Sequence, residues 1–140
     1  MRPASAPRHA ATVDGDAFAC PDGLWIDARG VLWIDTDISP RAIGRGGARL
    51  GNNAMLAADP HTGEVRRFLV GPRGCEITGA TMTPDGRTLF VNIQHPGEPP
   101  GERSDPDRLP RLSSWPDGGD ARPRSATVIV RRRDGGLVGT

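Results

Sequence analysis

Apolar and polar residues alternate with a period of two along most of the chain, and the 3.6-residue period of an amphipathic helix is nearly absent. Leu24-Trp25-Ile26-Asp27 passes through Ala28-Arg29-Gly30 into Val31-Leu32-Trp33-Ile34, which reads as a strand, a tight turn and a return strand. The pattern recurs from Ala54-Met55-Leu56-Ala57-Ala58 through Asp59-Pro60-His61-Thr62-Gly63 to Val65-Arg66-Arg67-Phe68-Leu69-Val70. It recurs again from Ile77 to Met82, across Thr83-Pro84-Asp85-Gly86, to Thr88-Leu89-Phe90-Val91-Asn92-Ile93. Gly30, Gly63 and Gly86 close the three turns, where a residue without Cβ takes positive φ at little cost. Three successive antiparallel hairpins are the expectation. A last strand, Ala126-Thr127-Val128-Ile129-Val130, precedes Arg131-Arg132-Arg133 and a turn at Asp134-Gly135-Gly136.

Two long irregular stretches interrupt this order. One, rich in Gly and Arg, runs from Ser39 to Asn53; the other, rich in Pro, Asp, Arg and Ser, runs from His95 to about Arg124. Loops of that length are functional or disordered more often than not. Residues 1–17 read as a disordered N-terminal segment and 18–140 as the folded part. The triplet Pro-Asp-Gly at Pro21, Pro84 and Pro116 suits propeller blades. A blade has four strands and takes about 40–45 residues, and a closed ring needs about four blades or more. Seven or eight strands make about two blades. The expected fold is all-β: a partial β-propeller of about two blades, built from antiparallel hairpins with long loops. An open run of blades leaves unpaired edges. The arithmetic therefore points to a piece of a larger propeller, its remainder on another polypeptide or lost by truncation.

Composition removes several functions. Gly and Pro make up about a quarter of the 140 residues, Tyr is missing, and all 18 basic residues are Arg. Against 17 acidic residues the net charge is only +1, so bulk electrostatics exclude a nucleic-acid partner as the default. The Arg131–Arg133 trio reads as a solvated strand end. No apolar run nears the roughly 20 residues that span a bilayer. The N-terminus has no apolar export core and no twin arginine, which places the chain in the cytoplasm if it is expressed as written. Cys20 and Cys75 lack C-x-x-C spacing and read as unpaired thiols.

Candidate chemistry collects where strands begin. Glu76 starts a strand among small and apolar neighbours and is one of only four Glu in the chain. A hard cation such as calcium takes carboxylate and amide oxygens, and Asp22 and Asn52 occupy equivalent strand starts. The competing reading is ordinary turn chemistry, since Asp before Gly and Asn in loops are common for that reason alone. His95 follows Asn92-Ile93-Gln94 at a strand mouth, where it can orient a ligand or simply hydrogen-bond. Nucleophile elbow, H-E-x-x-H, Walker loop and G-x-G-x-x-G are all missing.

Several strings together resemble the carboxy-terminal part of the PhoX-type alkaline phosphatases. They are Pro21-Asp22-Gly23-Leu24-Trp25, Leu32-Trp33-Ile34-Asp35-Thr36-Asp37, Gly51-Asn52-Asn53-Ala54-Met55, and Arg67 to Gly79 with its Gly-Cys-Glu-Ile-Thr-Gly core. Phe90 to Glu98, Ser114 to Gly118 and Pro123 to Val128 continue the likeness, which spans about residues 18 to 138. The resemblance implies a β-propeller phosphomonoesterase that uses calcium and iron, exported to the periplasm or secreted, with phosphate bridging metals and held by arginine. By motif position it implies Glu76 as leading metal ligand, with Asp22 and Asn52 behind it, Arg73 or Arg45 on phosphate, and His95 supporting a ligand. Family members are several times longer, so this chain is expected to be a fragment that is inactive alone. Two other functions compete. Calcium-dependent gluconolactonase-type propellers share the Pro-Asp-Gly-Leu start but not the Gly-Cys-Glu-Ile-Thr-Gly or Asn-Ile-Gln-His-Pro-Gly-Glu strings. A non-enzymatic assembly module would pair its blade edges with a complementary propeller chain.

Overall fold

The structure, a computed structural model, describes residues 14–43, 50–99 and 112–139. Eight strands follow in order: β1 (Asp14–Gly15), β2 (Pro21–Ile26), β3 (Leu32–Thr36), β4 (Ala54–Ala58), β5 (Glu64–Val70), β6 (Glu76–Met82), β7 (Leu89–Gln94) and β8 (Ala126–Val130). There is no helix among the described residues. The three expected hairpins form in antiparallel register, with Trp25 opposite Trp33, Ala57 opposite Arg66 and Ile77 opposite Ile93. Gly30, Gly63 and Gly86 close the turns at φ of +85°, +77° and +69°.

The strands make two sheets, ordered β1-β5-β4-β3-β2 and β6-β7-β8. The first is a four-stranded antiparallel meander, one blade, with β1 added in parallel on its outer edge. The second is a three-stranded blade. Together they form part of a propeller. Residues 14–17, which the sequence places in the N-terminal segment, are held against β5. There, Asp16 Oδ2 accepts from the Arg67 amide at 2.8 Å, and the Arg67 guanidinium donates to the Ala17 carbonyl at 2.9 Å.

Period-two alternation decides which side of each blade faces the other. Trp33, Met55, Ile77, Leu89, Val91 and Ile93 fill the core between the sheets. Each such side chain contributes about 1.5–3 kcal/mol when fully buried. Phe68 meets Trp33 edge-on with centroids 5.0 Å apart. Ile34, Leu56, Ala58 and Val65 point to the opposite face of the first blade and form a second apolar cluster with Phe18 and Leu32. On the adjoining inner strand Leu24 and Ile26 are 65% and 60% exposed, far more than core residues of a finished sheet.

The C-terminal segment closes the turn end. Val138 is buried in the inter-sheet core, its amide donates to the Gly86 carbonyl at 2.9 Å, and its carbonyl accepts from Arg29 Nη2 at 2.9 Å. One residue thus ties the β2–β3 turn to the β6–β7 turn.

Candidate functional site

Antiparallel order brings the starts of β2, β4 and β6 to the same end as the ends of β3, β5 and β7, opposite the hairpin turns. Every candidate residue within the described parts of the chain therefore lies at that end. Arg45 lies outside the described residues.

Asn53 organises this end. Its Oδ1 accepts from the Ile38 amide at 2.6 Å and the Thr36 hydroxyl at 2.9 Å, while its Nδ2 donates to the carbonyls of Ile38 and Cys75 at 3.1 and 2.9 Å. A buried amide with all these partners satisfied fixes the end of β3, the start of β4 and the start of β6 at once. Neighbouring Asn52 is only half-buried and donates weakly to the Gly71 carbonyl at 3.4 Å.

The two most distinctive strings form one structural unit. The Gly97 amide donates to the Arg73 carbonyl at 2.8 Å and the Glu98 amide to the Gly74 carbonyl at 3.1 Å. At φ +68° a Cβ on Gly74 would stand 2.7 Å from the Glu98 carbonyl oxygen, so only glycine permits this approach. Glu76 begins β6 opposite Gln94 of β7. Its Oε2 accepts from Gln94 Nε2 at 2.8 Å and lies 3.3 Å from His95 Nε2. On the other side of the ring, His95 Nδ1 lies 3.2 Å from a Glu98 oxygen, within ion-pair reach but without hydrogen-bonding geometry. His95 itself sits at φ +36°, its amide donating to the Ser125 hydroxyl at 3.0 Å.

A cleft of about 220 Å³ opens beside this unit, lined by Arg41, Arg73, Asn52 and Glu98 among others. Two guanidiniums and an amide in a small cleft can hold an oxyanion through charge-assisted hydrogen bonds. Asp22 belongs to neither group. It is exposed on β2 and acts electrostatically on Asp35, the buried carboxylate of β3. Burial pushes the Asp35 carboxyl up to about 6, against the opposing pull of a hydrogen bond from the Ala80 amide; the Asp22 charge adds to the rise. One Asp35 oxygen, Oδ1, is buried without a partner.

The residue strings in this end match a known family. The model of the alkaline phosphatase PhoX family matches residues 3–97. The chain belongs to the PhoX alkaline phosphatase family. A solved structure of Pseudomonas fluorescens PhoX, in complex with vanadate as a transition state analogue, superposes with a TM-score of 0.65 at 50% identity. The match covers 85% of this chain and 19% of that one, so the chain spans about a fifth of the PhoX protein it matches. Comparison with curated proteins gives no match.

The PhoX likeness raises the question of metals. The described residues include no group of three or more His, Cys, Asp and Glu side chains arranged to hold an ion. Glu76 and Glu98 approach opposite nitrogens of the same imidazole and so do not converge on a common point. What remains is a partial set of hard oxygens. Glu76 Oε1 and the Asn52 carbonyl have no partner among the described residues, against the six to eight oxygens calcium takes.

Three residues escaped the sequence reading. Glu98 was visible at the end of its motif, but its link to His95 depends on a loop returning. Arg41 sits in the long Gly/Arg connection, where nothing local distinguishes one arginine from another. Asp35 did leave a signal: it shares the Trp33 face of β3, so alternation alone puts a carboxylate inside.

Proposed function

We propose that this chain is part of a phosphomonoesterase, its strand-start end contributing phosphate-holding and metal-holding groups to a site completed by the rest of a PhoX-type polypeptide. The observation that carries the reading is 50% identity over 85% of the chain to a PhoX that binds a phosphoryl transition state analogue. The small cleft supports it: Arg73 and Arg41 are positioned to take a phosphate monoester's oxygens, and Asn52 stands beside them. Glu76 and Asn52, with Asp22 as a more distant donor, would hold part of a calcium- and iron-containing cluster. Such ions, when bound, polarise phosphoryl oxygens and stabilise charge in the transition state. Gln94 and His95 orient the Glu76 carboxylate from one side and leave its other oxygen free to act. With so few donors the chain alone is inactive.

The test is a chimera. Residues 14–139 replace the matching segment of Pseudomonas fluorescens PhoX, and hydrolysis of p-nitrophenyl phosphate is followed beside a lactone substrate. Phosphatase activity that survives, and falls at least tenfold in Glu76→Gln and Arg73→Ala, is the expected result. Lactone turnover would instead favour a gluconolactonase-type site. Metal-dependent phosphatase activity from the isolated chain would overturn its dependence on the remainder. A second reading, a propeller piece that docks with a complementary chain, is favoured by the outer edge of β8, with which no other strand among the described residues pairs.

A further inference from the structure

The cleft lined by Arg41 and Arg73 also holds one carboxylate, that of Glu98. Backbone bonds fix where it stands. The Gly97 amide donates to the Arg73 carbonyl at 2.8 Å, and the Glu98 amide is shared between the carbonyls of Gly74 and His95 at 3.1 and 3.2 Å. Arg73 and Glu98 therefore belong to two backbones pinned side by side, at the junction where Gly74 leaves no room for a Cβ.

The charges of this cleft do not neutralise one another. Elsewhere the chain pairs its arginines: Arg29 with Asp27, Arg66 with Glu64, Arg124 with Asp117 and Arg132 with Asp134. Among the described residues neither Arg41 nor Arg73 has a carboxylate within ion-pair reach, and Glu98 meets only the His95 ring, at 3.2 Å. Two cations and an anion that share a cleft without touching suit a ligand that carries both signs. Phosphate answers the guanidiniums, which can bind it through paired N–H bonds. An ammonium answers the carboxylate. The cleft, about 220 Å³, is smaller than the roughly 300–1,000 Å³ sites of drug-sized ligands, so the arm joining the two groups is short. Pro40, Ile43 and Leu112 supply an apolar wall for that arm. The same carboxylate repels a second anionic group on the substrate.

We propose that this cleft selects zwitterionic phosphomonoesters, in which an ammonium stands two or three carbons from the phosphate, and that Glu98 is the selecting residue. The inference rests on the reading of this chain as part of a phosphomonoesterase and names the substrate class of that site. The Glu98 carboxylate holds the ammonium while the phosphate lies against Arg41 and Arg73.

The test compares O-phosphoethanolamine with n-propyl phosphate, which matches it in length and lacks the ammonium. Binding to the full 140-residue chain is followed through the amide NMR shifts of Arg73, Gly74 and Glu98. The expected result is at least tenfold tighter binding of O-phosphoethanolamine, a difference abolished by Glu98→Gln and partly kept by Glu98→Asp. The comparison of ligands is made on the parent chain, so it stands even where a variant does not fold. Equal binding, tighter binding of n-propyl phosphate, no binding of either at millimolar concentration, or a preference that survives in folded Glu98→Gln would each overturn the proposal. The same two esters are then given to the PhoX chimera. Equal binding beside an active chimera would sink the selectivity and leave the phosphatase reading standing. Tighter binding of O-phosphoethanolamine beside an inactive chimera would do the reverse.

Discussion

The Thr36 hydroxyl and the Asn53 side chain interlock at the end of β3: the hydroxyl donates to Asn53 Oδ1 at 2.9 Å and accepts from the Ala54 amide at 2.9 Å. Through Asn53 Nδ2 the same pair reaches the Cys75 carbonyl and so the second blade. Asn53→Ala strands the Ile38 amide and two carbonyls in a dry setting, at about 1–3 kcal/mol for each group left unmet. The variant should lose several kcal/mol by urea denaturation. Asn53→Asp should be little better, because a carboxylate cannot donate to the Ile38 and Cys75 carbonyls. If Asn53→Asp matched the parent, the donor half of the network would be unimportant.

A second junction lies at the other end. The Asp27 carboxylate accepts from the amides of Arg29 and Val31, from Trp33 Nε1 at 3.1 Å and from the Arg29 guanidinium at 2.6 Å. Burial pushes this carboxyl up, but hydrogen bonds from Arg29, Trp33 and Val31 together outweigh it and hold the group below its ordinary value. Asp27→Ala leaves four donors unmet and should cost about 3 kcal/mol or more. Arg29→Ala removes one partner of Asp27 and the tie to Val138, and should cost about 1–2 kcal/mol. Chemical denaturation that reversed this order would show the guanidinium, not the carboxylate, to be the centre of the junction.

The hairpins were legible because each is local: alternation, a turn residue and a glycine lie within about ten residues of one another. The identity of the site's loop was legible too, since Gly-Cys-Glu-Ile-Thr-Gly is an unusual string. Val138 was not. Nothing in Gly-Gly-Leu-Val-Gly distinguishes a loose tail from a core residue, because its burial depends on contacts with Gly86 and Arg29, in two turns 52 and 109 residues upstream. The sequence also gave no sign that β1 would lie alongside β5. Two residues of strand, Asp14 and Gly15, carry no period, and parallel pairing across 50 residues leaves no local trace. The arrangement of Glu76, His95 and Glu98 is intermediate: all three stand in recognisable motifs, but only the closure of the 72–75 loop on 95–98 sets them on either side of one ring.

Asp35 should make stability fall as pH rises. Its folded value is raised to about 6, so the native chain holds a proton there that the unfolded chain gives up nearer 4. The stabilisation is whole below about 4, declines through that window and is absent above it, a change of up to about 3 kcal/mol. Asp27, held low, acts oppositely, its contribution lost only in stronger acid. Asp35→Asn should therefore be more stable than the parent at pH 7 and show a flatter profile between pH 4 and 6. Unfolding curves across that range decide it, and an unchanged slope would mean the proton is held elsewhere.

The thiols should separate cleanly. Cys20 is exposed and Cys75 buried, and burial pushes the Cys75 thiol up to about 12. Since the thiolate is the reactive form, only Cys20 should react with a thiol reagent at pH 8 in the native chain, and both in denaturant. Two reactive thiols without denaturant would show the start of β6 opening, and with it the Asn53 bridge to Cys75.

Calcium gives the sharpest test of how much of the site this chain holds. Glu76 supplies one free carboxylate oxygen, Asn52 one amide oxygen, and Asp22 sits apart beside Asp35. Even extracellular calcium modules with full oxygen shells bind at about 10⁻⁴–10⁻³ M, so two or three donors on one end of an open sheet should bind more weakly still. Calorimetric titration of the 140-residue chain should show no saturable calcium binding below about 1 mM. Glu76→Gln should leave that titration unchanged in the isolated chain but weaken calcium affinity in the PhoX chimera, where the remaining donors are supplied. Submillimolar binding by the isolated chain, abolished by Glu76→Gln, would instead mean that this end is a complete metal site in its own right.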